Sequence, residues 1–259
     1  MLVLAATMAL LAACGHPSAP SPTSASSVNA SDGLPGDHAK TGSYTVDISY
    51  PPLSPEAGAL TRELHAHGEA AKRDMMQVVH AAPADHPVRL AIVFEVASRT
   101  PRFLSVREKG YLDTGGAHPR PLIGTFVFDM RDKKVLALDD LFTDPAGTRA
   151  KLADFARQAL YAKLLDKVPG GAKTPPKARA EWQANMRGMI DPGIAPTPAN
   201  FSHFLINSGS LDRSMSLTLV FPPYQVAPYV YGVQTVDVPL KLFAADLKPE
   251  YRSAFGLAP

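Results

Sequence analysis

A single cysteine, Cys14, stands among 259 residues, so no disulfide can brace the chain internally. No apolar run reaches the roughly 18 residues that a membrane-spanning helix requires; the longest is Leu2 to Ala13. An excess of either charge is also missing. The 26 Lys and Arg against 24 Asp and Glu leave a net charge of +2, which argues against a nucleic-acid partner. Internal repeats are absent. So are the strings that mark common chemistries: no G-x-S-x-G elbow, S-x-x-K, H-E-x-x-H, phosphate-binding loop or dinucleotide glycine fingerprint. These absences assign no catalytic residue, no metal site and no cofactor. The expectation is a protein that binds and is not an enzyme.

What is present begins with a signal. Leu2 to Ala13 is apolar and small, too short to cross a bilayer and of the length of a signal-peptide core. It ends in Leu11-Ala12-Ala13-Cys14, which resembles the lipobox of bacterial lipoproteins. That resemblance implies a signal peptide over 1–13, a lipidated Cys14, and a membrane contact made through the lipid anchor only. Gly15, in place of Asp, implies the outer membrane, with the protein facing the periplasm. The run lacks the Lys or Arg that ordinarily precedes such a core. The alternative is a buried N-terminal helix with an incidental cysteine.

From Cys14 to about residue 42 the chain is rich in Pro, Ser, Ala and Gly and poor in large apolar residues. Such a segment buries too little surface to offset its ordering entropy, and is expected to be a flexible tether. As a coil of about 27 residues it would span roughly 30 Å. Residues 43–259, in a chain 46% hydrophobic and 19% charged, suit one globular domain or two small intimate halves.

Within that part, alternation of apolar and polar residues predicts strands over 43–50, 87–97, 103–112, 122–130 and 135–138, then 201–206, 214–220 and 232–238. Pro51 and Pro52 end the first. Ser54 is placed to cap a helix that starts at Pro55, and its stripe of Ala57, Leu60, Leu64, Ala71, Met75 and Val78 runs to about His80. Further helices are expected over 145–166 and 178–189, with a short closing one over 240–247. Strands in hairpin sequence interrupted by grouped helices imply an α+β fold with a mainly antiparallel sheet.

Histidines raise a metal hypothesis, because His65, His67 and Glu69 are close in sequence. On a helix only His65 and Glu69 share a face, and no third ligand is evident. Glu95, Asp113, Asp139 and Asp140 are carboxylates whose spacing selects no catalytic pair. Two segments are more informative. In Tyr111-Leu-Asp-Thr114-Gly115-Gly116-Ala-His118-Pro119, paired glycines permit either a wide turn or the close approach of another chain. In Phe221 to Gly232, the tyrosines Tyr224, Tyr229 and Tyr231 sit in a proline-stiffened connection. They suit either interface anchors or rings packed over their own sheet.

Those segments carry a family resemblance. Tyr111 to Pro119, then Thr125-Phe-Val-Phe-Asp129, then Leu136 to Phe142, resemble the extracellular domain shared by the anti-sigma factor RsiV and the peptidoglycan deacetylase PdaC. Tyr224-Gln-Val-Ala-Pro-Tyr229, Gly232 and the strand through Val236 and Val238 to Pro239 resemble the same family's ending, and the opening strand and first helix its N-terminal half. The resemblance implies two interlocked halves, about 43–100 and 101–259. It also implies a lysozyme-like peptidoglycan hydrolase as partner, either host lysozyme or the toxin of a rival bacterium. Partner-binding residues expected on this basis are Tyr111, Thr114, Gly115, Gly116, His118, Tyr224, Tyr229 and Tyr231. The signalling role and the deacetylase domain do not carry over; a glycan-binding envelope module is the alternative.

Overall fold

The computed structural model describes residues 36–80, 86–209 and 214–258. Cys14, the signal segment and most of the expected tether lie outside them. Among the described residues, nine strands and five helices form an α+β fold in which antiparallel pairing predominates. No helix there is long and apolar enough to cross a membrane.

The first sheet has six strands in the order of the chain: β1 (Gly36–Lys40), β2 (Tyr44–Ser49), β3 (Val88–Arg99), β4 (Phe103–Asp113), β5 (Arg120–Asp129) and β6 (Lys134–Leu136). β2 and β3 are parallel, and the helix α1 (Gly58–Val79) makes the long crossover that such a pair requires. The remaining pairs in this sheet are antiparallel. Alternation along β3 buries Val88, Leu90, Ile92 and Phe94 on the α1 side, where they meet Ile48, Leu60, Leu64, Met75, Val106 and Phe128. Burying each such side chain stabilises the fold by about 1.5–3 kcal/mol.

Two expectations need correction. Gly36–Lys40, assigned to the tether, is an edge strand paired residue for residue with β2. Its mostly exposed residues carry no hydrophobic alternation. Backbone pairing holds it instead, helped by His38 against Asp47 at 2.8 Å and by Lys72 and the Tyr50 hydroxyl at Asp37. The halves also do not divide near residue 100, because β3 and β4 on either side of that point form one hairpin. A smaller correction concerns Ser54, whose side chain makes no cap bond to the helix backbone.

The second sheet is antiparallel, with β7 (Phe204–Ser208), β8 (Ser214–Phe221) and β9 (Gln234–Pro239). Helices α2 (Pro145–Leu164) and α3 (Pro176–Gly193) and the short α4 (Leu240–Phe243) and α5 (Pro249–Arg252) complete its core. Phe103 and Val127 reach that core from the first sheet, which therefore packs on both faces. β7 crosses the far face of the first sheet. Its edge groups bond to hydroxyls there: Ser105 Oγ accepts from Ile206 N at 3.1 Å and donates to Ile206 O at 2.9 Å, and Thr125 Oγ1 accepts from Phe204 N at 2.9 Å. An edge strand that would otherwise recruit another chain is covered. A buried ion pair pins the C-terminus to this layer: Arg102 meets the fully buried Asp129 at 2.9 Å and lies 4.4 Å from the Tyr251 ring centre.

Candidate functional site

The β4–β5 connection turns through Thr114 to Pro119. Asp113 Oδ1 accepts the Gly115 backbone N–H at 3.0 Å and faces His86 Nε2 at 3.3 Å. The amide and then the imidazole favour the carboxylate, and hold Asp113 below its usual range. Gly115 has φ +83°, and a Cβ there would also meet the His86 ring at 3.0 Å. Only glycine suits that position. Gly116 is different: nothing lies within 4 Å of where its Cβ would be, so neither conformation nor packing requires glycine there.

The β8–β9 connection is fixed from beneath. Gln225 Nε2 donates to Gly193 O at 2.8 Å and to Asn200 O at 2.9 Å, tying the loop to the end of α3. A Cβ on Gly193 would fall 2.0 Å from Gln225 O, so the two backbones touch. Held this way, Tyr224 adopts φ +73°, a conformation that costs a non-glycine residue about 1–3 kcal/mol. Tyr224 is 56% exposed and Val230, six residues on, 83%.

Folding brings the two connections together. The His118 ring stacks on Tyr229 with centres 4.1 Å apart and planes 12° from parallel. Tyr224 is 5.9 Å from Tyr229, and its hydroxyl lies 3.1 Å from His118 Nε2. His118 Nδ1 is 3.3 Å from Pro119 O. With the proton on Nδ1, His118 donates to that carbonyl and accepts from the Tyr224 hydroxyl. Three rings from segments over a hundred residues apart thus form one surface.

The other expected residues are placed differently. Thr114, Gly115 and Gly116 are exposed on the same turn as His118. Tyr111 is half-buried in β4, between Ala91 and Pro121 of its neighbours. Tyr231 faces elsewhere: its hydroxyl donates to Lys167 O at 3.2 Å and its ring lies 6.5 Å from Trp182. Asp113 is engaged by Gly115 and His86. The histidines of the metal hypothesis diverge: His65 packs on Tyr50 at 4.0 Å, Glu69 pairs with Lys72, and His67 meets Glu108 at 2.9 Å.

Glu108 was not singled out from sequence. Alternation along β4 signalled it, since Glu108 shares the inward parity of Val106 and Leu112.

Residues 139–241 match the family described as protein of unknown function (DUF3298). That stretch runs from before α2 into α4 and includes the Tyr224–Tyr231 connection. The chain is also 24% identical over 215 residues to the peptidoglycan-N-acetylmuramic acid deacetylase PdaC of Bacillus subtilis (strain 168), covering 82% of this chain. It spans 40% of the length of that relative, which supports a shared domain and leaves the rest of PdaC unmatched. Two crystal structures have the same fold, each with a TM-score of 0.54. One is a DUF3298 family protein of Pseudomonas aeruginosa PAO1, 20% identical, the match covering 85% of this chain and 96% of that one. The other, from Bacteroides fragilis NCTC 9343, is 18% identical, with coverage of 84% and 92%.

Proposed function

We propose that this chain is a non-catalytic module of the bacterial envelope that grips and inhibits a lysozyme-like peptidoglycan hydrolase. It is tethered by lipid at Cys14 and faces the periplasm from the outer membrane. The observation that carries this reading is the cluster in which exposed His118 and Tyr224 lie against half-buried Tyr229. Stacked aromatic rings lose little freedom on binding and dominate protein interfaces. Exposed Val230 adds apolar contact area beside them. The strained Tyr224 points the same way, because strain of this kind persists where surrounding structure imposes it and gathers at binding sites. Gly116 leaves room for a partner's backbone. Similarity to a protein whose name places its activity on peptidoglycan supports the envelope setting.

The test is a titration of the full chain, carrying Cys14→Ser to prevent acylation, against several lysozyme-type enzymes while cell-wall lysis is followed. Inhibition near a one-to-one ratio is expected, and its loss in the double variant Tyr224→Ala/Tyr229→Ala. If no such enzyme is bound or slowed, the reading fails. A second reading rests on the same exposed ring faces, which also suit sugars: retention on purified cell-wall sacculi without any enzyme binding would move the assignment to a glycan-binding module. The anchor has its own test. Radioactive palmitate should label the wild-type chain and not Cys14→Ser, and an unlabelled wild type removes the anchor.

A further inference from the structure

The far side of the first sheet is covered only in part. β7 crosses it at Ser105 and Thr125. Beside that crossing lies a cavity of about 300 Å³, with β4 and β5 on one wall and β7, β8 and the start of β9 on the other. That size is at the lower end of the range of small-molecule sites. Ile123, Leu205, Val220 and Val233 give it apolar lining from both sheets. Two large apolar side chains at this place remain open to water. Val233 is 38% exposed, and Val93, in the same cross-strand row as Lys109 and Ile123, is 41% exposed.

The polar groups of the second wall are occupied with one another. Asn207 Nδ2 donates to Thr218 Oγ1 at 2.6 Å, and Thr218 Oγ1 donates to Asp237 Oδ1. Charge comes from the first wall. Arg107 and Lys109 line the cavity, and both reach the same oxygen of Glu95, Oε2, at 3.0 Å. Lys109 and then Arg107 favour the ionised carboxyl and hold Glu95 below its usual range. One carboxylate between two cations leaves a positive charge over, on side chains that are themselves about half exposed.

We infer that this cleft is a binding site for a medium-length aliphatic chain ending in a carboxylate. The chain replaces water along the apolar lining, and the gain grows with the area covered. Its carboxylate accepts from Arg107 and Lys109 beside Glu95, so that two cations meet two anions through charge-assisted bonds. Arg107 and Lys109 stand two residues apart on β4 and share a face, which lets one head group meet both. An ammonium head would face two like charges, and a hydroxyl would leave the surplus charge unmatched. A short carboxylate would leave the apolar lining wet. The site is distinct from the cluster of His118, Tyr224 and Tyr229, and the inference does not depend on capture of a hydrolase.

The experiment is a ¹H–¹⁵N chemical-shift titration of the full chain, carrying Cys14→Ser, with octanoate, octylammonium, octanol and propanoate in parallel, all below micelle-forming concentrations. Saturable shifts around Ile123, Val220 and Val233 are expected for octanoate, with an affinity at least tenfold above that of the other three. The double variant Arg107→Gln/Lys109→Gln changes only half-exposed side chains and should weaken octanoate at least tenfold. Arg120→Gln, on the α1 side of the same sheet, and Tyr224→Ala should leave it unchanged. Absence of saturable shifts, equal binding of octanol or propanoate, or preference for octylammonium would each overturn the assignment. Unaltered affinity in the double variant would do the same.

Discussion

The molecule places aromatic and titratable groups in two opposite ways. The His118–Tyr224–Tyr229 cluster, exposed at His118 and Tyr224 and half-buried at Tyr229, lies on connections and includes a backbone conformation that costs energy. The Glu108–His67 pair is set into regular structure, with the carboxylate enclosed and Gly124 opposite to admit it. The first arrangement adds little to the stability of the core, whereas the second is part of how helix and sheet fit together. Substitutions should therefore separate: changes at the surface should alter binding with little loss of stability, and changes to buried polar pairs should alter stability first.

The largest effect is expected at the buried pair below the second core. Arg102→Ala strands the fully buried Asp129 without its cation and should destabilise the chain by about 3–5 kcal/mol, read from urea unfolding midpoints. A loss below about 1 kcal/mol would break the contrast from the buried side. Next in size, Tyr229→Ala should weaken a captured hydrolase by about 2 kcal/mol or more in calorimetry. Stability should stay nearly constant. A sharper variant is Tyr224→Asn. Asparagine tolerates positive φ better than tyrosine, so stability should hold or rise by up to about 1 kcal/mol while binding falls. A variant that bound normally would show that the strain serves something other than the partner.

Titration gives a further test. The hydrogen bond from His67 to Glu108 raises the imidazole pKa above its ordinary 6.5, against the opposing effect of burial. A raised folded-state value means that this pair's stabilisation is complete below the unfolded histidine pKa. It is then lost as pH rises through the folded one. Burial acts the other way on nearby His203 and lowers its pKa, so that residue disfavours the folded state as pH falls. NMR titration should find His67 above 6.5 and His203 below it, with Glu108→Gln bringing His67 down. An unmoved His67 would show that the pair is not coupled. The smallest effects separate the two adjacent glycines. Gly115→Ala forces a side chain into φ +83° against His86 and should cost about 1 kcal/mol or more. Gly116→Ala should stay within about 0.5 kcal/mol of wild type.

Much of the fold was legible because its elements follow simple periods. β3 alternates from Val88 through Phe94, α1 carries its apolar stripe to Val79, and β5 and β6 lie within two residues of expectation. β1 was not legible, because an edge strand held by backbone bonds needs no apolar pattern. Nor was the boundary between halves. A composition-based division cannot see that Phe103 and Val127 face one core while Leu104 and Phe128 face the other. Of the residues picked out for binding, His118, Tyr224 and Tyr229 converge. Tyr231 does not, because a ring two positions along a tight turn leaves on another side.

By itself, the sequence determined which stretches are strand or helix and which carry glycine and tyrosine in unusual density, since these depend on neighbours a few residues away. Tertiary structure alone decided that Tyr224 stands out of a strained loop braced by Gln225 on α3's end. It alone decided that Glu108 meets His67 across forty-one positions with one oxygen unpaired. Both outcomes depend on which surfaces are pressed together when two cores close on one sheet, and no local pattern encodes that.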